Sequence, residues 1–533
     1  MITGKQTPPA VGIDIGTSFG RVALVQAGET NPKLVADGYG RVHQPAVVRY
    51  TLGGSEVGYY PSRFLVTNWE NSATGVTRFI GRWRDLPREV VDNAPFVVFE
   101  REGRACFNLL YNLATPEEVF AKIALHLIGE AERVSGQSVY EVVLTVPASA
   151  EDFYRVRVQE ALEIAGLHVL KIINQPTAAL LALRHLERVQ AGNVVVVDVG
   201  GGTTDVSVAQ LSQNGSVTVL ATAGDPYLGG HDFEQRLAEK LARRFYETET
   251  GGFAEALASS RSLNLGLLHT AAEAMQDLSV ATTTEVALDH GAGFGRDLYT
   301  RMARSEFETT LEADLLRIGE LCHRAMSEAH LQPHEIDAVV LAGGASQIPA
   351  VRRVIAMALA RQPEELICYE PQGLAALGAA VQAAALTGHS GFEHLCVRDV
   401  TPYPLGIAAY FATGAGPAEE NGDEELLSVI IERQASLPVR RQETYYTRRP
   451  NQTQMELHLL QYRGTRQPTS HDYLTKVYPN ECETLGKWML NDIRPRSRSE
   501  VLVTFEIDEN GILHLTAEEK GTHNRLSQQI TRW

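Results

Sequence analysis

Over its first 390 or so residues the chain alternates short apolar runs with stretches whose apolar residues recur at helical spacing. "AVGIDIGTSFGRVALVQ" (10–26) reads as strand, glycine-bearing turn, strand. "PEEVFAKIALHLIGEAERV" (116–134) predicts an amphipathic helix entered from Thr115 with Pro116 at its first position, and it leads into the strand "EVVLTVPA" (141–148). "VVVVDVGGGTTDVSVAQL" (194–211) is a second strand–turn–strand, and "DFEQRLAEKLARRFYE" (232–247) a second amphipathic helix. "AVVLAGGASQIPAVRRVIAMAL" (338–359) predicts strand, Gly-Gly turn, helix. This alternation is the signature of an α/β domain.

After about residue 392 the period shortens to two. "SVIIERQASLPVRR" (428–441), "TQMELHLLQYRG" (453–464) and "SEVLVTFEIDENGILHLTAEEK" (499–520) predict strands separated by polar turns. Met455, Leu457 and Leu459 fall on one face, Val501, Val503, Phe505 and Ile507 on another, and "DENG" has the composition of a hairpin turn. The expected organisation is an α/β domain over 1–392, a linker over 393–400 and a small all-β sandwich over 401–533.

A chain of 533 residues exceeds one ordinary core, so more than one folding unit is required. Its net charge of −17 argues against general affinity for nucleic acid. No apolar run reaches the roughly 20 residues of a membrane span, and "MITGKQTPPA" lacks the apolar centre of a signal peptide. Five scattered cysteines without a CxxC pair predict reduced thiols and a cytoplasmic setting. Arginines cluster at 440, 441, 448, 449 and at 494, 496, 498, where a solvated face is the simplest reading.

The candidate chemistry lies in a repeat. Asp14-Ile15-Gly16-Thr17-Ser18 and Asp198-Val199-Gly200-Gly201-Gly202-Thr203-Thr204 are two Asp-x-Gly turns with following hydroxyls. Backbone N–H groups in such turns form a nest of donors for phosphate oxygens. Carboxylates beside phosphate repel it unless a cation intervenes. Asp14, Asp198 and Asp205 therefore imply Mg²⁺, held largely through water. With the third turn at Gly343-Gly344, these features predict a two-lobed nucleotide cleft.

The order of two phosphate turns and a later glycine turn resembles the actin, sugar-kinase and heat-shock chaperone superfamily. "RFIGR" (78–82), "VLTVPA" (143–148), "EIAGLHVLKIINQPTAA" (163–179), "VDVGGGTTD" (197–205), "YLGGHDFE" (227–234), "ALGAAVQAAA" (376–385), "RDVTPYPLGI" (398–407) and "FEIDENGILHLTA" (505–517) are similar to the DnaK-type heat-shock chaperones. That resemblance implies ATP or ADP with Mg²⁺ in the cleft and exposed apolar protein segments on the β-domain. It also implies partnership with J-domain and nucleotide-exchange co-chaperones, and no nucleic-acid or membrane partner. A sugar kinase instead predicts a polar sugar pocket and no β-domain. The family's helical lid has no counterpart here, so the expectation is an open-sided, lidless groove.

Carried over residue by residue, the resemblance assigns nucleotide contacts to Gly16, Thr17, Ser18, Asp198, Gly200, Gly201, Gly202, Thr203, Gly229, Gly230, Ser279, Gly343, Gly344, Ala345 and Gln347. Asp14, Thr203 and Asp205 take the catalytic roles. Pro147, Arg155, Leu395, Val397 and Asp399 take the interdomain coupling roles. Ile407, Tyr410, Tyr445, Met455, Leu457 and Val501 form the peptide groove, with Arg448 favouring acidic flanks. The departures fall on water activation and on adenosine. Thr77 stands where the family has a lysine, and Gln175 where it has a glutamate. Ala272, Met275, Gln347 and Gln372 replace charged adenosine contacts. The resulting expectation is an ATP-binding chaperone with slow or lost hydrolysis. The alternative is a nucleotide-independent binder built on a degenerate cleft.

Overall fold

The strands that carry the two Asp-x-Gly turns are apolar on both faces because both faces are covered. Ala10–Ile15 is buried at every position, and Gly192–Val199 from Val194 onward. A computed structural model describes residues 7–81, 83–248, 260–288, 297–392, 395, 397–412, 423–464, 466–470 and 475–529. The fold is mixed α/β with several sheets.

Two of those sheets share a topology. One runs in the order His168–Asn174, Glu141–Val146, Ala10–Ile15, Phe19–Val25, Lys33–Leu34. Four strands of the other run Ala338–Ala342, Gly192–Val199, Thr204–Leu211, Val217–Asp225. In each, the Asp-bearing strand pairs antiparallel with the strand after its turn and parallel with a later one. The sequence repeat is therefore a repeat of strand connectivity.

The helix Pro116–Ser135 begins as its pattern predicts. The Thr115 hydroxyl accepts from the Glu118 N–H, and the Glu118 carboxylate accepts from the Thr115 N–H, so two of the helix's otherwise unpaired N-terminal donors are satisfied. Leu374–Leu386 is buried along nearly its whole length and consists largely of alanine. Small side chains let it approach other backbones closely. A Cβ at Gly378 would lie 1.7 Å from the Ala178 carbonyl oxygen, and one at Gly12 would lie 2.1 Å from the Ala380 nitrogen.

The chain divides into two compact units. The first holds residues 1–150, 157–218 and 222–397; the second holds 151–156, 219–221 and 398–533. The second is built from two four-stranded antiparallel sheets. One runs Asp423–Ile431, Leu405–Ala412, Met455–Gln461, Glu483–Leu490; the other runs Val439–Tyr446, Glu500–Ile507, Leu513–Glu519, Arg525–Gln529. Alternate residues of both enter one core containing Leu457, Leu459, Val501, Val503, Phe505 and Ile507. "DENG" closes the predicted hairpin, with Gly511 at φ +77° and its N–H donating to the Asp508 carbonyl.

Two details differ from the sequence reading. The run 428–441 divides between the two sheets, because Gln434 takes a left-handed conformation (φ 61°) and Pro438 cannot donate to a ladder. Arg525–Gln529 forms an edge strand although four of its five residues are polar and only Leu526 packs against the core. Among the described residues no helix is long and apolar enough to cross a membrane, and Cys106, Cys322, Cys368 and Cys482 are free thiols.

Candidate functional site

Both Asp-x-Gly turns form at the ends of their strands, and they lie against each other. The Gly16 N–H donates to the Phe19 carbonyl and the Gly200 N–H to the Thr203 carbonyl, so each turn is closed by its own backbone. A Cβ at Gly202 would lie 2.3 Å from Thr17 Oγ1, and one at Gly201 would lie 2.7 Å from Ser18 Oγ. Gly202 is thus constrained by the contact between the turns alone, whereas at Gly201 only the rotatable Ser18 hydroxyl stands in the way. Gly200 is different: a Cβ there would find its nearest neighbour at 3.5 Å, an ordinary contact.

The remaining turns join the same cluster. The Gly230 N–H donates to the Gly200 carbonyl and the His231 N–H to the Gly201 carbonyl. A Cβ at Gly229 would strike backbone atoms of Gly200, Gly201 and Gly202 at 2.7–2.9 Å. Gly230 approaches Ala345, and Gly343, at φ +75°, packs on Val199 and the Asp198 carboxylate. Three of the sequence-assigned turns and Gly229-Gly230 are therefore one continuous structure.

The carboxylates are buried within it. Asp14 is 4%, Asp198 8% and Asp205 1% exposed. Burial, reinforced by Asp205 and Asp14, pushes the Asp198 carboxyl up to about 8. Burial also pushes Asp205 up to about 6, although the Ser149 N–H donates to its Oδ1 at 2.8 Å. Such a group of buried acids is relieved by a cation. Among the described residues no three acidic, histidine or cysteine side chains stand close enough to ligate one ion directly. The site fits a hydrated Mg²⁺ held through water and bound phosphate, and does not fit a closed protein cage.

Asp14 is the most heavily bonded of the three. Its Oδ1 accepts from Thr145 Oγ1 at 2.7 Å and from Gln175 Nε2 at 2.8 Å. Its Oδ2 lies 3.4 Å from Arg21 Nη1. Arg21, directly opposite Asp14 in the strand pairing, also donates from Nε to His43 Nδ1 at 2.8 Å and from Nη2 to Gln372 Oε1 at 3.4 Å. Burial, with the Arg21 charge adding to it, lowers His43 to about 4, so its ring is neutral and able to accept. Arg21, His43 and Thr145 were missed in the sequence. An arginine two residues into an otherwise apolar strand was the available signal.

The two altered positions are both engaged. Thr77 Oγ1 sits 3.0 Å from Thr17 Oγ1. The Gln175 amide spends its N–H on Asp14. Arg78 does not substitute for the missing lysine, because both its terminal nitrogens donate to Asp232, which in turn accepts the Gly229 N–H. Of the positions expected to meet adenosine, Gln347 is exposed, Ala272 and Met275 are half-buried, and the Ser279 hydroxyl donates to the Met275 carbonyl of its own helix. A cavity of about 470 Å³ is bordered by Thr17, Ser18, Gly75, Arg78, Asp232 and Ala272.

Of the expected coupling residues, Pro147 is half-buried after its strand, Arg155 is buried on Asp152–Ile164, and Leu395, Val397 and Asp399 are half-buried. Glu393, His394 and Cys396 of the expected linker, and Arg82 of "RFIGR", lie outside the described residues. In the β-unit, Ile407, Leu457 and Val501 are buried in the shared core and have no surface to offer a peptide. Tyr410, Tyr445 and Met455 retain surface. Tyr410 lies under the Arg448 guanidinium at 4.2 Å, and Tyr445 Oη lies 2.8 Å from Ser428 Oγ.

Residues 10–532 match the family model described as Hsp70 protein. The chain is 36% identical over 522 residues to "Chaperone protein DnaK 1" of Synechococcus sp., covering 96% of this chain and 65% of that protein. It is 34% identical over 530 residues to "Chaperone protein DnaK" of Deinococcus deserti, covering 98% and 79%. With the DnaK of Thermus thermophilus the figures are 34% over 529 residues, 98% and 80%. The chain thus spans about two thirds of the length of the cyanobacterial relative.

Proposed function

Because the chain belongs to the Hsp70 family, we propose that it is a chaperone with two ligand-binding functions. It binds ATP and ADP in a two-lobed cleft at its three glycine turns, and exposed apolar protein segments on its C-terminal β-unit. The observation that carries this reading is the direct seating of Thr17 and Ser18 on Gly201 and Gly202, with three buried carboxylates around the contact. Backbone donors of both turns bind the phosphates. Asp14, Asp198 and Asp205 would hold Mg²⁺ through water, and the ion would supply the charge that lets acids and phosphates share one site.

Hydrolysis is slow in this reading. Activating water needs a free acceptor or a positioned cation. Asp14 Oδ1 already accepts two hydrogen bonds, Gln175 carries no charge, and Thr77 is bonded to Thr17. Apolar segments bind over Tyr410, Tyr445 and Met455, with Arg448 favouring acidic flanks. Pro147, Arg155, Leu395, Val397 and Asp399 couple the units, J-domain and nucleotide-exchange proteins are the expected partners, and the cytoplasm is the expected site of action.

A second reading, a nucleotide-independent protein binder, is favoured by one observation: the Ser279 hydroxyl is spent within its helix and the neighbouring adenosine positions are uncharged. Calorimetric titration with ATP and ADP in Mg²⁺, followed by single-turnover hydrolysis, separates the two. Micromolar affinity with slow turnover supports the chaperone reading. No heat at millimolar nucleotide sinks it in favour of the second.

A further inference from the structure

We propose that the arginines of two crossover loops in the β-unit form a docking surface for acidic protein segments, so that this chain selects apolar segments flanked by aspartate and glutamate. The inference rests on the peptide-binding reading above and deepens it.

The loops 447–454 and 491–499 each carry the chain from one sheet of the β-unit to the other. They do so at the same end, because Tyr446 pairs with Glu500 in one sheet and Met455 with Leu490 in the other. The two loops are also bonded to each other. The Thr447 N–H donates to the Ser499 carbonyl at 3.0 Å, the Ile493 N–H to the Thr453 carbonyl at 3.0 Å and the Asn451 N–H to the Arg496 carbonyl at 2.7 Å. The hydroxyl of buried Thr447 accepts from the Ser499 N–H at 2.9 Å. Arg448, Arg449, Arg494, Arg496 and Arg498 are thereby held on one fixed surface, and all of them are exposed.

Arginines gathered in this way repel one another unless acids intervene, and few do. Asp492 is the only acidic residue in either loop. At their borders, Glu500 is engaged with Lys520 at 2.7 Å, and Glu519 is 1% exposed with its carboxylate accepting the Arg494 N–H. Among the described residues Arg449, Arg494, Arg496 and Arg498 form no ion pair. Arg498 lies over the Tyr446 ring at 3.8 Å and Arg448 over the Tyr410 ring at 4.2 Å. The basic surface is thus continuous with Tyr410, and Tyr445 and Met455 stand at the two ends of the first loop. Charge selects the occupant. The chain as a whole carries −17, so a long polyanion is repelled over most of its length. A short acidic stretch beside an apolar segment bound at Tyr410 feels chiefly the arginines, because charge acts over only about 8–10 Å in physiological salt. Guanidinium groups match carboxylates in geometry as well as in charge.

The test is fluorescence anisotropy of the full chain with labelled peptides that share one apolar core and carry either glutamate or lysine flanks, at low and at high salt. The chains compared are wild type, the combined variant Arg494→Gln, Arg496→Gln, Arg498→Gln, and the same three positions changed to lysine. The ratio of the two affinities is the quantity to read, because loss of fold weakens both peptides alike. The expected result is a wild-type preference for glutamate flanks of about tenfold at low salt, shrinking at high salt. The glutamine variant should lose roughly threefold or more of that preference, and the lysine variant, which keeps the charge, should retain most of it. A thermal melt of each variant controls for folding. A wild-type ratio near one, or a ratio that the glutamine variant leaves unchanged, overturns the inference and spares the peptide-binding reading. Equal affinity for a DNA oligonucleotide of the same charge also overturns it, since the surface is then a general polyanion site. Absence of binding by both peptides overturns both readings.

Discussion

At the scale of single residues, the three consecutive glycines have unequal reasons to be there. Gly229 meets backbone atoms of the Gly200–Gly202 turn, and backbone cannot rotate away. Gly229→Ala should therefore cost about 1–3 kcal/mol of stability, read by thermal or urea melting. Gly200→Ala has room in the fold. It should leave the melt nearly unchanged and show its effect, if the turn binds phosphate, as weakened ATP affinity in calorimetry. Asp198 makes a pH prediction. Its carboxyl holds its proton to about pH 8 in the folded chain and releases it near the ordinary pH 4 when unfolded. The folded state then binds more protons between those limits, so stability falls as pH rises from about 4 to 8. Asp205, held up to about 6, adds to the lower part of that decline. Asp198→Asn should flatten the slope of melting temperature against pH, and Mg²⁺ with nucleotide should flatten it in the wild type. A slope that Asp198→Asn leaves intact would assign the effect to other groups.

Among the elements, the helix Leu374–Leu386 has no amphipathic stripe because it has no solvent face. Its stability comes from close approach to its neighbours. Gly378→Ala places a methyl 1.7 Å from the Ala178 carbonyl and should cost several kcal/mol, at or beyond the about 1–3 kcal/mol usual for overpacking. In the β-unit, Leu457 is fully buried between the sheets, so Leu457→Ala should cost about 2–5 kcal/mol in that unit's own transition. The same burial means that loss of peptide binding in this variant would report loss of fold. Tyr410→Ala is the better probe of the proposed peptide surface, because Tyr410 keeps half its surface. Elements with strong apolar periodicity were legible in the sequence, including Pro116–Ser135, Met455–Gln461 and the hairpin at "DENG". Arg525–Gln529 was not, since a single apolar residue, Leu526, leaves no periodicity and the strand is imposed by pairing with Leu513–Glu519.

For the whole molecule, two units with separate cores predict two unfolding transitions. Saturating ADP and Mg²⁺ at about a hundredfold over Kd should raise the first unit by about 2.7 kcal/mol, and an apolar peptide should raise the second. Scanning calorimetry resolves this. A nucleotide effect confined to the β-unit's transition would contradict the assignment of the turns.

The sequence by itself determined which segments are strands and helices wherever burial is one-sided or complete, because periodicity records which faces meet solvent. It also marked Asp14, Asp198, Asp205 and the glycine turns, since that chemistry is carried by residue type and short-range order. What only the tertiary structure decided is how the members of those turns meet. Thr17 faces Gly202 and Thr77, Gln175 and Thr145 converge on Asp14, and Arg21 is ion-paired with the same acid. The burial of Ile407, Leu457 and Val501 in the core was decided there too. Contacts across 60 to 160 residues depend on how separate elements pack, and no local pattern encodes them.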